Sequence, residues 1–155
     1  MDERHRARLA LHGAVILLVG LLCGIAAVTE PEGQPMPSWQ AAHGGLLLNG
    51  IWLLAVAGIA PFLVLQRSHA EALFWSLLSM VYGFMLTVVV QASSGLRGVA
   101  PEGPPANWLA FGGNLVVVTA AFFAAVLTVE GARGWVRRSR HTEVAAPAVT
   151  ASGLH

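Results

Sequence analysis

The sequence predicts an all-α membrane protein, a bundle of four transmembrane helices with both termini in the cytoplasm. The chain has 155 residues, of which 55% are hydrophobic and only 11% are charged. A soluble domain carries about 25% charged residues, so this surface is too poor in charge for water. Four long apolar runs are separated by polar or Pro- and Gly-rich stretches. About 20 apolar residues span a bilayer core as a helix, so each run is a candidate span.

The four runs define one transmembrane domain, residues 9–130, between a charged arm at 1–8 and a tail at 131–155. The predicted spans are Leu9 to Val28, Trp39 to Leu65, Ala72 to Ala92 and Trp108 to Val129. Residues 29–38, 66–71 and 93–107 are predicted as loops, and Pro61 is expected to kink the far end of the second helix. A signal peptide is the alternative for the first run, but the run is long for one and no clear A-x-A cleavage site follows it.

The arginines predict the orientation of the bundle. The chain contains no lysine, and Arg97 is the only arginine that falls on the side opposite the termini. The positive-inside rule therefore places both termini in the cytoplasm, and we expect an integral protein of a bacterial-type inner membrane. The basic residues form no single stripe, so no nucleic-acid partner is expected. The tail is predicted to be basic at first and disordered from Thr142.

His43 is the most unusual polar residue in the predicted spans. It lies five residues beyond Ser38, which is about 7 Å into the second helix, and Gly44 and Gly45 follow it. The two glycines remove side-chain bulk beside the ring, so a flat cofactor could lie there. Neutral imidazole is a common ligand for haem iron. A buried histidine bonded to a neighbouring carbonyl is the alternative, and position alone does not decide between the two.

Three further polar side chains in the predicted spans, His12, Asn49 and Tyr82, are candidates for a functional role. His12 is interpreted as a hydrogen-bonded packing residue near the cytoplasmic end of the first span. Its depth differs from that of His43 by about 15 Å, so one iron cannot bind both, which disfavours a bis-histidine electron carrier. Asn49 lies about 120° around the helix from His43 and either borders the same cleft or bonds to another helix. Tyr82 is the only tyrosine, and its hydroxyl needs a partner in lipid.

These residues together resemble the styrene oxide isomerase family. The resemblance in the second span rests on Trp39, Ala42, His43, Gly45, Leu48, Asn49 and Gly50. Weaker points of similarity are His12-Gly13, Gly83-Phe84, Arg97-Gly98 and a second helix that reaches Pro61. The resemblance covers most of residues 9–130. The family's third-span tyrosine directly follows the Gly-Phe pair; here that position is Met85, and Tyr82, one turn away on the same face, is the candidate substitute.

The resemblance implies a membrane isomerase that uses haem b. Family members assemble as trimers, hold the haem between subunits and convert an aryl epoxide to an aldehyde by Meinwald rearrangement, with ferric iron as the Lewis acid. By resemblance, His43 is the axial ligand beside Gly44 and Gly45, while Asn49 and Tyr82 hold the substrate oxygen. The implied partners are a small hydrophobic epoxide, the lipid bilayer and two further copies of the chain.

Two other classes stay open at this point. One is a non-catalytic or electron-transferring membrane haem protein. The other is a small structural membrane protein without a cofactor.

Overall fold

The computed structural model describes residues 1–29 and 38–145, with the side chains of residue 38 and of residues 141–145 left out. The helices are α1 (Glu3–Val28), α2 (Ser38–Ile59), α3 (Arg67–Ser94) and α4 (Pro105–Ala145), with a short 3₁₀ helix, Ala60–Phe62, after α2. Four of the helices are long and apolar enough to cross a membrane. Residues 1–29 and 38–145 contain no strand. The predicted fold class, an all-α bundle of four membrane helices, is confirmed.

Neighbouring helices in the chain pack antiparallel. Early in α1, Gly13 lies against Leu54 in the second half of α2, while late in α1, Gly24 lies against His43 near the start of α2. A residue without a side chain lets two helix backbones approach closely, and membrane helices use small residues at such contacts. The α1–α2 pair is therefore a close-packed unit, and His43 lies inside its contact.

The second antiparallel pair, α3 and α4, uses the same device. Gly83 lies against Val117, and Gly113 lies against the side chain of Thr87. Thr87 is buried, and its hydroxyl has no hydrogen-bond partner among the described residues. The two pairs join mainly through α2 and α3, which places α1 and α4 on the two outer sides of the bundle.

Both ends of the transmembrane domain emerge at the same end of the bundle. The His5 ring packs edge-on against Phe74 near the start of α3, with the ring centroids 4.7 Å apart. At the same end, the Val64 N–H donates to the Gly131 carbonyl over 3.0 Å. The structure thus agrees with an even number of crossings. The compartment that this end faces stays a prediction.

Two helix boundaries near the middle of the chain differ from the prediction. The second helix ends at Ile59, short of Leu65, because Pro61 has no N–H to donate and the chain continues as a 3₁₀ turn. The predicted turn at 66–71 is wrong beyond its first residue, since α3 begins at Arg67. An ion pair from Arg67 to Glu71, 3.1 Å long and one turn apart, lies along this first stretch of α3.

The terminal helices are longer than the apolar runs they contain. The predicted arm at 1–8 is helical from Glu3, and the Asp2 carboxylate caps it by accepting the His5 N–H over 2.8 Å. At the other end α4 continues through the arginine-rich stretch to Ala145. The predicted disorder is therefore wrong for residues 142–145, and residues 146–155 lie outside the described part. No proline interrupts the chain between Pro105 and Pro147, and arginine favours helix.

The outside of the bundle is apolar over most of its area. Leucines such as Leu46, Leu53 and Leu77 are fully buried between helices. Others of the same type point outward, with Leu22 57% and Leu48 65% exposed. A surface of this kind suits lipid or another copy of the chain rather than water.

Candidate functional site

His43 lies in the second turn of α2, and its ring is turned towards α1. The ring nitrogen Nδ1 is 2.7 Å from the carbonyl oxygen of Gly20. A carbonyl oxygen only accepts, so Nδ1 carries the proton and donates it. In a neutral ring the other nitrogen, Nε2, then holds a lone pair. Nε2 has no hydrogen-bond partner among the described residues.

The bond to a neighbouring carbonyl, one of the two alternatives that the sequence left open, is present in the structure. The bond to a neighbouring carbonyl and the role of metal ligand use different nitrogens of the same ring. A carbonyl acceptor on one nitrogen is the usual support for a histidine that binds a metal through the other. The His43 ring, when neutral, therefore has a lone pair on Nε2 that could bind a metal.

The ring fits only because α1 has glycine where it passes. A Cβ at Gly24 would lie 2.7 Å from Nδ1 of His43 and 2.9 Å from Cε1 of the same ring. These distances are shorter than any ordinary van der Waals contact. Gly20 supplies the acceptor and packs against Leu46 and Leu47 of α2. Any side chain at position 24 would push the ring away from the Gly20 carbonyl.

The two glycines after His43 have different surroundings. Gly44 is exposed, and a Cβ there would meet no atom within 4 Å. On Gly45 the corresponding space is filled by the ring of Phe84 from α3. Gly45 therefore serves the packing of α2 on α3, while the surface at Gly44 is open to the outside of the chain. A flat group could lie beside His43 on the Gly44 side.

Asn49 is half-buried on α2 and bonds within its own helix. Its amide nitrogen donates to the Gly45 carbonyl one turn earlier, over 2.9 Å. One N–H of this amide is thereby used, and the second N–H and the oxygen have no hydrogen-bond partner in residues 1–29 and 38–145. No hydrogen bond joins Asn49 to His43. The side chain keeps one donor for a ligand.

Tyr82 is joined to His12 and to neither of the other candidates. The Tyr82 hydroxyl lies 2.6 Å from Nδ1 of His12, and the two rings meet edge to face at 5.5 Å. His12 is thus hydrogen-bonded within the bundle, as the sequence indicated. Within the described residues Tyr82 has no hydrogen bond to His43 or Asn49. Met85, which occupies the family's tyrosine position, is partly buried against the core.

The two membrane histidines lie at different depths. His43 lies beside Gly20 and Gly24, which are eight and twelve residues after His12 along α1. At 1.5 Å per residue this is a separation of about 12–18 Å along the helix axis. The predicted separation of about 15 Å falls within this range. A single iron does not reach both histidines of one chain.

Sequence reasoning missed the contribution of α1 to the site. Gly20 and Gly24, which the sequence analysis does not single out, orient the His43 ring. A signal was present: Gly24 lies four residues before the end of α1, and His43 lies five residues after the start of α2. In an antiparallel pair these positions share one depth. Phe84, which fills the space at Gly45, could not be found this way because it comes from another helix pair.

The residues present fit a haem better than a metal held by protein ligands alone. No group of three or more His, Cys, Asp or Glu side chains that could hold a metal ion occurs in the described ranges. A haem iron needs only one protein ligand. The lone pair on Nε2 of His43 supplies one, and the open surface at Gly44 leaves room for the edge of a porphyrin.

Two cavities among the described residues lie away from His43 and Asn49. One of about 700 Å³ is bordered by Val64, Arg133 and Arg137, and one of about 550 Å³ is bordered by Trp75 and other residues of α3 and α4. Neither includes His43 or Asn49. The surface beside His43 opens outward at Gly44, so a cofactor or a second chain would have to complete the site from outside.

The fold and site define a class: a four-helix membrane protein with a hydrogen-bonded histidine inside the contact between its first two helices. The family model described as styrene oxide isomerase matches residues 5–133, which is most of the chain and all four spans. The chain belongs to the styrene oxide isomerase family. No curated protein matches it.

Proposed function

We propose that this protein is a haem b-dependent isomerase that converts a small aryl epoxide, similar to styrene oxide, to an aldehyde. Family membership supports the reaction class. The observation that carries the residue assignment is the bond from His43 Nδ1 to the Gly20 carbonyl, because it leaves Nε2 as a ligand. The reaction is an isomerisation, so it needs neither an oxidant nor a reductant.

His43 would hold the iron, and Gly44 would border the porphyrin on the open side of α2. When bound, ferric haem supplies a Lewis acid for the epoxide oxygen, which promotes C–O bond opening and a 1,2-hydride shift to the carbonyl. Because the site opens outward, a neighbouring copy of the chain would cover the haem, and we propose a homotrimer with haem between subunits. Gly45 would act indirectly, by letting Phe84 pack behind the site.

Asn49 would hold the substrate oxygen with its remaining N–H as negative charge develops there. Tyr82 is the weaker candidate for this role, since its hydroxyl is already bonded to His12. The four apolar runs, residues 9–28, 39–65, 72–92 and 108–129, contain no Asp or Glu, so they offer no carboxylate as a general acid or base. The apolar exterior would admit a hydrophobic epoxide from lipid and keep water from the site.

The direct test is turnover by the protein purified in detergent after expression with haem available. The protein should be red and should convert styrene oxide to phenylacetaldehyde with no added oxidant or reductant. Free haemin in the same detergent is the control for uncatalysed rearrangement. A red protein that leaves the epoxide unchanged would support the alternative, a non-catalytic or electron-transferring haem protein. A colourless protein would contradict both haem functions.

A further inference from the structure

We infer that Gly24 is a positioning residue that, with the Gly20 carbonyl, selects the tautomer and orientation of His43. This inference rests on the proposed function in so far as His43 binds iron. The relevant juxtaposition joins two helices: the acceptor and the gap are on α1, and the ring is on α2. Neither glycine touches the iron in this account, so both act through His43.

The two glycines form one structural unit. Gly24 follows Gly20 by four residues, so in an α-helix its N–H bonds to the Gly20 carbonyl. That oxygen has two lone pairs and also accepts the His43 Nδ1–H at 2.7 Å. A side chain at position 24 would stand where the ring donates, since its Cβ would be 2.7 Å from Nδ1. The carbonyl is therefore accessible to the ring only because residue 24 is glycine.

The consequence for the ligand is electronic as well as geometric. Donation from Nδ1 to a carbonyl raises the basicity of Nε2 and fixes the plane of the ring. A more basic ligand stabilises ferric over ferrous iron. Gly24 should thus keep the haem in the oxidation state that the isomerisation uses.

The test compares Gly24→Ala with Gly13→Ala in the haem-bound protein. Both are glycine-to-alanine changes on the α2-facing side of α1, but a Cβ at Gly13 would meet Leu54 at 3.0 Å, far from His43. We expect Gly24→Ala to release haem about 10- to 100-fold faster and to shift the ferric/ferrous potential to more positive values. Gly13→Ala should match the wild type in both. Equal behaviour of the two variants would overturn the inference.

A second measurement does not depend on whether Gly24→Ala folds. The iron–histidine stretching band of the ferrous wild type should lie at higher frequency than that of haem bound to an imidazole in an aprotic solvent, because Nδ1 donates a hydrogen bond. Identical frequencies would contradict the inference. If the chain purifies without haem, the proposed function fails. The ¹⁵N resonances of the His43 ring then test the tautomer alone, and a proton on Nε2 would overturn the inference.

Discussion

At the scale of single residues, the candidate site combines a histidine whose ring is oriented by a hydrogen bond with an asparagine whose amide is only partly hydrogen-bonded. His43 donates its Nδ1–H to the Gly20 carbonyl of α1, and its Nε2 has no hydrogen-bond partner among the described residues. Asn49 donates one amide N–H to the Gly45 carbonyl of its own helix, and its second N–H has no acceptor among the described residues. In the proposed function the two side chains would have different roles: His43 would hold the iron, and Asn49 would contact the substrate.

Replacing Asn49 should reduce turnover without removing the haem. In Asn49→Leu the shape is nearly kept but the donor to the epoxide oxygen is lost, so kcat/KM for styrene oxide should fall about 10²- to 10³-fold, as for other donors of this kind. Tyr82→Phe is the comparison, and its effect should be smaller because the hydroxyl is bonded to His12. Full activity in Asn49→Leu, with the haem band intact, would remove Asn49 from the site.

At the scale of helices, substitutions at two adjacent glycines of α4 test how α4 packs against α3. Gly113 faces the Thr87 side chain of α3, whereas a Cβ at Gly112 would meet nothing within 4 Å. Gly113→Ala should therefore overpack the α3–α4 contact and lower the free energy of unfolding by about 1–3 kcal/mol. Gly112→Ala should leave it unchanged or raise it slightly. Thermal unfolding in detergent measures both, and equal transition temperatures would contradict the α3–α4 register.

The first turn of α1 should respond to pH through its cap. The pKa of the Asp2 carboxyl lies below its usual value mainly because the His5 backbone N–H donates to it, and the His5 ring acts in the same direction. A carboxyl with a lowered folded-state pKa stabilises the fold above its ordinary value of 3.8 and loses this effect as pH falls through the lowered pKa. Protection of the His5 amide from hydrogen exchange should fall in that range. In Asp2→Asn, protection of the His5 amide should not change over the same pH range, because asparagine does not ionise there.

The helices could be predicted in number and place, but not in length. Apolar runs report which residues lipid surrounds, so Leu9 to Val28 identified α1 correctly as a span. They do not report where backbone hydrogen bonding stops, and α1 therefore begins earlier, at Glu3, and α4 ends later, at Ala145. Pro61 was an exception, because its missing N–H interrupts helical hydrogen bonding and so predicted a change near the end of α2.

The candidate site could be predicted only where its residues are close in sequence. His43 and Asn49 were found because a histidine and an amide are conspicuous within one apolar helix. The role of Gly24 was missed because it depends on the register between two helices. The Tyr82–His12 bond was likewise beyond reach, since it joins residues from the first and third spans.

At the scale of the whole molecule, the arginines make a prediction about orientation. The N-terminus, the α2–α3 connection and the later part of α4 share one end of the bundle, and all the arginines except Arg97 are at that end by sequence. The positive-inside rule puts this end in the cytoplasm. In a Cys23→Ala background, an impermeant maleimide should label Glu102→Cys in intact spheroplasts. It should label Ser139→Cys only after permeabilisation, and the reverse pattern would invert the topology.

The most direct test of His43 as the iron ligand compares the haem absorption band of purified His43→Ala with that of purified His12→Ala. Both variants remove a histidine from α1 or α2, but Nδ1 of His43 donates to a backbone carbonyl, whereas Nδ1 of His12 bonds to the Tyr82 hydroxyl. His43→Ala should lose the band together with isomerase activity, and His12→Ala should keep the band. A full band in His43→Ala, or its loss in His12→Ala alone, would show that His43 is not the iron ligand.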